Sequence, residues 1–192
     1  MLDLSSTSSN PLNTDLKLET QPLYRIETEH NFFTPDITTI SKIQPEQRPN
    51  IVTIAEIQWS SWGGNYVTFK GRSMHVDDYL RKKGVFSGSR VFTVASGRTY
   101  SWKENVMTNV PGKQVVARWH HKSVGIRGPA HSAYLNVALD AVDDLDEIVM
   151  TMVCMQRMIQ ERARRSRSQH SSLLTSQAGS QATTQAAIRS SF

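Results

Sequence analysis

The sequence is poor in cysteine and in long apolar runs, and both shortages limit the classes of protein to which it can belong. Its 192 residues include a single cysteine, Cys154, so neither an internal disulfide nor a multi-cysteine zinc site is expected. The uncharged apolar stretch at 148–156 is roughly half of what a membrane-spanning helix needs. The first ten residues lack the basic and apolar regions of a secretory signal, and the termini carry no lipidation motif. The sequence therefore predicts an intracellular protein that is not secreted, in the cytoplasm, the nucleus or at a membrane surface.

Specific catalytic signatures are also missing. The chain contains no H-E-x-x-H, no G-x-S-x-G, no G-x-x-x-x-G-K-[ST] and no G-x-G-x-x-G, so the common metalloprotease, hydrolase, nucleotide and dinucleotide sites are not expected. No cofactor, metal or catalytic residue is predicted. An enzyme with a non-motif site in the mouth of a barrel stays open as an alternative, because catalytic groups are recognised by geometry and not by sequence order.

The positive charge is unevenly distributed. The formal net charge is +5, yet residues 1–156 hold 16 basic and 16 acidic residues, whereas residues 157–192 hold six arginines and one glutamate. The basic excess therefore belongs to the C-terminal segment, and the folded domain is not expected to bind nucleic acid. Weak, sequence-independent nucleic-acid binding through the tail stays open.

Composition divides the chain into three parts. Residues 1–14 are rich in Ser, Thr and Asn and predict a flexible N-terminal arm. Residues 166–192 contain Ser, Gln, Thr or Ala at 19 of 27 positions, which predicts a disordered tail because such a segment buries too little apolar surface. A single domain is expected over residues 15–165.

Alternation of apolar and polar residues recurs through this domain. In one example Tyr100 and Trp102 share a face opposite Ser101 and Lys103, as in a strand with one buried side. Turn signals such as Ser96-Gly97 separate the alternating segments. The pattern predicts a mainly β domain of about nine antiparallel strands, with a short helical turn around residues 77–83.

The period changes near the C-terminus, where a helix is expected at about 144–165. Acidic residues crowd its start and arginines its end, which matches the helix dipole. From Ile148 to Met155 the only polar side chain is Thr151, and a helix that is apolar on all sides is buried on all sides. This favours an antiparallel β-barrel or strongly curved sheet that encloses the helix. The alternative is an open sheet with the helix on one face and its rear in a dimer interface.

An ordered set of motifs resembles a known family. They include Asn10-Pro11-x-Asn13-Thr14, Tyr24-Arg25-Ile26-Glu27-Thr28, Ala55-Glu56-Ile57-x-Trp59, Gly97-Arg98-x-Tyr100-x-Trp102-Lys103 and Leu145-Asp146-Glu147-Ile148-Val149. Together they resemble a fungal domain of unknown function over residues 10–163. That domain is similar in plan to the tubby C-terminal-like group, which includes phospholipid scramblases and plant LURP-one-related proteins.

The resemblance implies a β-barrel around a C-terminal hydrophobic helix, but no established activity. Tubby-type domains bind phosphoinositide headgroups, yet their basic pocket has no residue-by-residue match in this chain. No site residue is therefore transferred.

Three groups of basic residues are the candidate sites for anionic lipids or an acidic partner. The groups are Arg81, Lys82 and Lys83; Arg118, Lys122 and Arg127, with His120; and Arg162, Arg164, Arg165 and Arg167. The sequence-based hypothesis is a non-catalytic binding module, with an anionic membrane surface or a protein as its partner.

Overall fold

The structure is a computed structural model that describes residues 1–31, 33–44, 50–60, 64–84, 88–126 and 129–189, with side chains described as far as Gln169. It has two compact units, Met1–Gln156 and Arg157–Phe192. The first unit is mainly β, as the alternating pattern predicts.

Thirteen antiparallel strands form one sheet within the described residues. The strands are β1 (Leu2–Ser6), β2 (Thr14–Leu18), β3 (Gln21–Glu29), β4 (Asp36–Gln44), β5 (Asn50–Trp59), β6 (Tyr66–Phe69), β7 (Arg72–His75), β8 (Arg81–Lys82), β9 (Ser89–Thr93), β10 (Thr99–Lys103), β11 (Val106–Val110), β12 (Val115–His120) and β13 (Tyr134–Val137). Their order across the sheet is β7-β6-β5-β4-β3-β2-β1-β13-β12-β11-β10-β9-β8. The sheet thus consists of two runs of neighbouring hairpins that meet where β1 pairs with β13.

The two edge strands, β7 and β8, are neighbours in the sequence. Only α1 (Val76–Tyr79) and Leu80 separate them, a link that spans at most about 20 Å. The edges of a flat sheet of this size would lie about 55–60 Å apart at ~4.8 Å per strand. The sheet must therefore curl round until its edges are close.

The edges of the curled sheet do not pair, because no ladder joins β7 to β8 among the described residues. The helical turn α1 occupies the link between them, with Val76 and Leu80 buried. Arg90 of β9 contacts the carboxylate of Asp77 and donates a hydrogen bond to the Leu80 carbonyl oxygen at 2.8 Å. Of the two forms that the sequence predicts, the closed barrel is therefore wrong, and the structure is an open, strongly curved sheet with α1 between its two edges.

The C-terminal helix begins close to the predicted position. A 3-10 helix, Leu139–Asp144, leads into α2 (Leu145–Arg189). Every side chain from Ile148 to Gln156 is at most 3% exposed, so this part of α2 is buried on all sides within one chain. The alternative of a helix whose rear is bare until it dimerises is not what the structure has.

Polar contacts to α2 come from distant parts of the sheet. On one side, Lys42 of β4 pairs with Asp146 at 2.9 Å. On the other, the Trp102 indole of β10 donates to the Thr151 hydroxyl at 3.0 Å. Strands seven positions apart in the sheet thus contact the same helix, as a sheet curled around it requires.

The structure differs from the sequence expectation at the N-terminus. Residues 1–14, expected as a flexible arm, contain β1, which pairs with both β2 and β13. Leu4 is fully buried, and burial of such a side chain contributes about 1.5–3 kcal/mol. Disorder of residues 166–192 stays a prediction.

Candidate functional site

A groove of about 630 Å³ lies over β9, β10 and β11 and the turn after β11. Tyr100 of β10 bonds to Asp144 of the 3-10 helix, and Trp102 bonds to Thr151 of α2, so alternation places Ser101 and Lys103 on the opposite face of the sheet. Both of these residues line the groove. The groove is therefore on the outer face of the sheet, on a rigid set of paired strands.

Three lysines surround this groove. Lys83 follows β8, Lys103 ends β10, and Lys113 lies in the turn between β11 and β12; all three are exposed. Within the described residues none of their ammonium groups has an acidic partner within 4 Å, and the one acid in the lining is Glu104. The groove thus has a net charge of +2 with its cations uncommitted, which suits an anionic ligand.

The rest of the lining is mostly apolar or hydroxylic. Val106, Val110 and Pro111 form an apolar wall, and Ser101 and Thr108 add hydroxyl-bearing side chains to the lining. Val110 pairs with Thr99 and Val106 pairs with Lys103, so the hairpin register sets the length of the wall at about five residues, or ~16 Å. A ligand that carries anionic groups on an apolar body fits this arrangement.

The structure separates the first predicted basic group. Lys83 lines the groove, whereas Arg81 and Lys82 form the short edge strand β8 and do not line it. Cations on an exposed edge strand also discourage edge-to-edge aggregation.

The second predicted group lies on β12 and the loop that follows it. Arg118 and Lys122 are exposed, and Arg127 lies outside the described residues. His120 stacks on Tyr134 with ring centroids 4.2 Å apart. Burial, with the nearby Arg118 and His131, lowers the pKa of His120.

The third predicted group lies on the second unit of the chain. Its arginines are exposed on α2; they are Arg162, Arg164, Arg165 and Arg167. Within this unit Glu161 pairs with Arg157 at 2.9 Å and lies 4.0 Å from Arg165. Glu161 is thus engaged, and the arginines at 162, 164, 165 and 167 are exposed to solvent.

Two of the groove lysines, Lys103 and Lys113, were not among the sequence candidates. Each stands alone in the sequence, and only the β10–β11 and β11–β12 turns bring them to one groove. Lys113 has a left-handed backbone conformation (φ 58°), after Pro111-Gly112. Pro111-Gly112 predicts a turn from the sequence, but nothing in the sequence predicts the groove beside that turn.

A second polar cluster surrounds the start of α2. The buried carboxylate of Asp144 accepts hydrogen bonds from Tyr100 (2.7 Å) and Ser96 (3.1 Å) and pairs with Arg98 (2.9 Å). Burial and the hydrogen bond to Asp144 raise the pKa of Tyr100. These groups satisfy one another and hold α2 to β10, a structural use of buried charge.

The neighbouring acids of α2 are engaged in the same way. Asp146 accepts from the Tyr24 hydroxyl at 2.5 Å and binds Lys42, and burial followed by this hydrogen bond raises the pKa of Tyr24. Glu147 accepts from the Ala95 amide at 3.4 Å and lies 3.8 Å from Lys70. The cluster therefore positions the helix and leaves the groove as the candidate site.

Among the residues that the structure describes, no group of three or more His, Cys, Asp or Glu side chains is placed to hold a metal ion. No helix in that part of the chain has the length and apolarity needed to cross a bilayer.

Comparison with known proteins supplies a family and no activity. Neither a curated protein nor a solved structure matches this chain. A family profile matches residues 9–161, which include every strand of the sheet except β1, together with α1, the groove and the buried part of α2. On this match the chain belongs to a family of unknown function, DUF6593.

Proposed function

We propose that this protein is a non-catalytic binding module that holds phosphate groups of an anionic membrane surface in the lysine-lined groove. The observation that supports this function is that three lysines line one groove with apolar walls, and that no acid among the described residues lies within 4 Å of their ammonium groups. Phosphate oxygens accept hydrogen bonds from lysine, and the apolar wall suits the adjoining body of a lipid.

Electrostatics sets the expected strength. A lysine near an anionic membrane surface contributes about 1 kcal/mol, and the contribution falls within a Debye length. Loss of two groove lysines should therefore cost about 2 kcal/mol, or roughly 30-fold in affinity. Salt should weaken binding for the same reason.

The Arg-rich part of α2 provides a second, less specific attraction in this proposal. Its arginines are exposed and outnumber its single acid. Vesicle binding should thus fall when Arg162, Arg164, Arg165 and Arg167 are all replaced by glutamine, and this part of the binding should vanish at high salt.

Vesicle co-sedimentation of the full chain tests the role of the groove. Vesicles of phosphatidylcholine with phosphatidylserine would be compared with phosphatidylcholine alone. The variant Lys103→Ala/Lys113→Ala should lose roughly 30-fold in affinity. A control of equal charge change, Lys17→Ala/Arg72→Ala, removes cations outside the groove and should bind nearly as wild type.

Two results would count against the proposal. Equal losses in the groove variant and its control would mean that net charge alone drives binding. An absence of wild-type binding to acidic vesicles at low salt would remove the membrane function itself.

Kinship with the tubby C-terminal-like group, and a fungal origin, belong to the same proposal. The curled antiparallel sheet around a buried C-terminal helix supports the structural kinship. An experimental structure that superposes strand by strand on a tubby-type domain would establish it, and a different strand order would exclude it.

A further inference from the structure

The loop between β12 and β13 exposes large apolar side chains. Val124 is 72% exposed and Ile126 is 86% exposed. Exposed apolar residues scattered singly are ordinary, but two within three residues at one loop tip form a local apolar surface.

The base of this loop is held by backbone hydrogen bonds. The Ser123 amide donates to the His131 carbonyl oxygen at 2.9 Å, and the His131 amide donates to that of Ser123 at 3.1 Å. At the tip, Gly125 adopts a left-handed conformation (φ 87°), and its amide donates to the Ser123 hydroxyl at 3.3 Å. Val124 and Ile126 are therefore presented beyond a fixed bridge.

The surrounding sequence has no acidic residue. Between Glu104 and Asp140 the chain contains no aspartate or glutamate, but it contains Lys113, Arg118 and Lys122. This part of the chain forms β11, β12 and β13, one wall of the groove and the apolar loop. Exposed apolar residues on a stretch of chain whose own charged residues are all cations complement the boundary between anionic headgroups and acyl chains.

We infer that Val124 and Ile126 insert into the acyl boundary of an anionic bilayer, while Lys122 contacts the headgroup phosphates. This inference rests on the proposed function and adds an orientation: residues 122–126 face the membrane, and Lys103 of the groove lies at the same end of the strands, because Val106 pairs with both Lys103 and Arg118. Insertion of the two side chains should make part of the binding resistant to salt, because apolar burial is not screened.

Site-specific fluorescence provides the test. The single native cysteine, Cys154, is fully buried, so an environment-sensitive thiol dye would label Ile126→Cys selectively, and unsubstituted protein would serve as the labelling control. The matched control is Leu139→Cys, at an apolar residue that is 68% exposed at the opposite end of β13. Vesicles would contain phosphatidylcholine with or without phosphatidylserine, and co-sedimentation would be measured on the same samples.

The inference predicts a blue shift of the dye at position 126 on acidic vesicles, quenching by spin-labelled acyl chains, and neither effect at position 139. In unlabelled full-length protein, Val124→Ser/Ile126→Ser should lower affinity at least tenfold at high salt. Lys122→Ala should lower affinity mainly at low salt.

The two readouts separate the possible failures. If the protein sediments with acidic vesicles but the dye at position 126 does not shift, the inference is overturned and the proposed function stands. If it does not sediment at all, the proposed function fails and the inference fails with it. Equal shifts at positions 126 and 139 would also contradict the orientation.

Discussion

Shortening one buried side chain on each of two opposite sides of α2 is the most informative perturbation of the fold. Ile148 and Met150 are two residues apart, which places them about 200° apart around the helix axis. Both are 0% exposed. A helix lying on one face of a flat sheet would bury one of them and expose the other, so the pair distinguishes enclosure from one-sided packing.

Both substitutions should be costly. Removal of a fully buried Ile or Met side chain beyond Cβ costs about 2–5 kcal/mol, since the cavity adds to the lost transfer free energy. We expect about 3 kcal/mol for Ile148→Ala and for Met150→Ala. Leu139→Ala, at a residue that is 68% exposed, should change stability by less than about 0.5 kcal/mol.

Urea-induced unfolding followed by fluorescence gives these free energies. If an alanine variant does not fold, Ile148→Val should still cost about 1 kcal/mol and Met150→Leu less than about 1.5 kcal/mol. A cost close to zero for Ile148→Ala or for Met150→Ala would refute the reasoning, because one flank of α2 would then lack packed neighbours.

Three further predictions address single contacts. Trp102→Phe should destabilise the protein by about 1–3 kcal/mol more than Trp119→Phe, measured by urea unfolding, because the Trp102 N–H bonds to α2 while that of Trp119 has no partner in the described residues. Burial and Arg118 lower the pKa of His120 in the folded protein. The unfolded chain therefore binds the proton more tightly, and the free energy of unfolding should fall as the pH drops below about 6.5. An NMR titration should show the lowered pKa of His120, and Arg118→Ala should raise that pKa. Glu19 has φ 55°, so Glu19→Asn should raise the free energy of unfolding by about 0.5–1 kcal/mol, and an unchanged melting temperature would contradict this.

The sequence predicted those strands and helices in which the order of apolar and polar residues within the segment itself indicates which side chains are buried. Tyr100 and Trp102 alternate with polar residues, and their side chains bond to Asp144 of the 3-10 helix and Thr151 of α2, as a half-buried strand requires. The continuous apolar stretch from Ile148 predicted a helix without a wet face, and those side chains are buried. In both cases the apolar or polar character of each residue matches whether its side chain is buried or exposed.

The elements that were missed depend on distant partners or are polar. The strand β1 is a short alternation in a Ser-rich segment, and it is paired with β13 more than 120 residues away. The edge strands β7 and β8 are short and exposed, so they carry little apolar signal. Closure of the sheet depends on whether these two edges pair, which no local pattern encodes.

Only one of the three groove lysines was a candidate from the sequence, because the other two are brought to the groove by strand pairing. Lys83 belongs to a visible basic run, whereas Lys103 and Lys113 are isolated in sequence. They converge because β10, β11 and β12 pair in a fixed register. Residue type can suggest an anionic ligand, but the groove itself is a product of the strand pairing.

Native-state labelling of Cys154 tests the enclosure of α2 most directly. The thiol is fully buried, and burial raises its pKa to about 12, which by itself reduces the reactive thiolate at pH 8 roughly a thousandfold. The account predicts that Cys154 reacts with a thiol reagent only when the protein unfolds, at a rate that increases with urea. Labelling of the native protein as fast as that of Ile126→Cys would show that one flank of the helix is open to solvent, and would contradict the account.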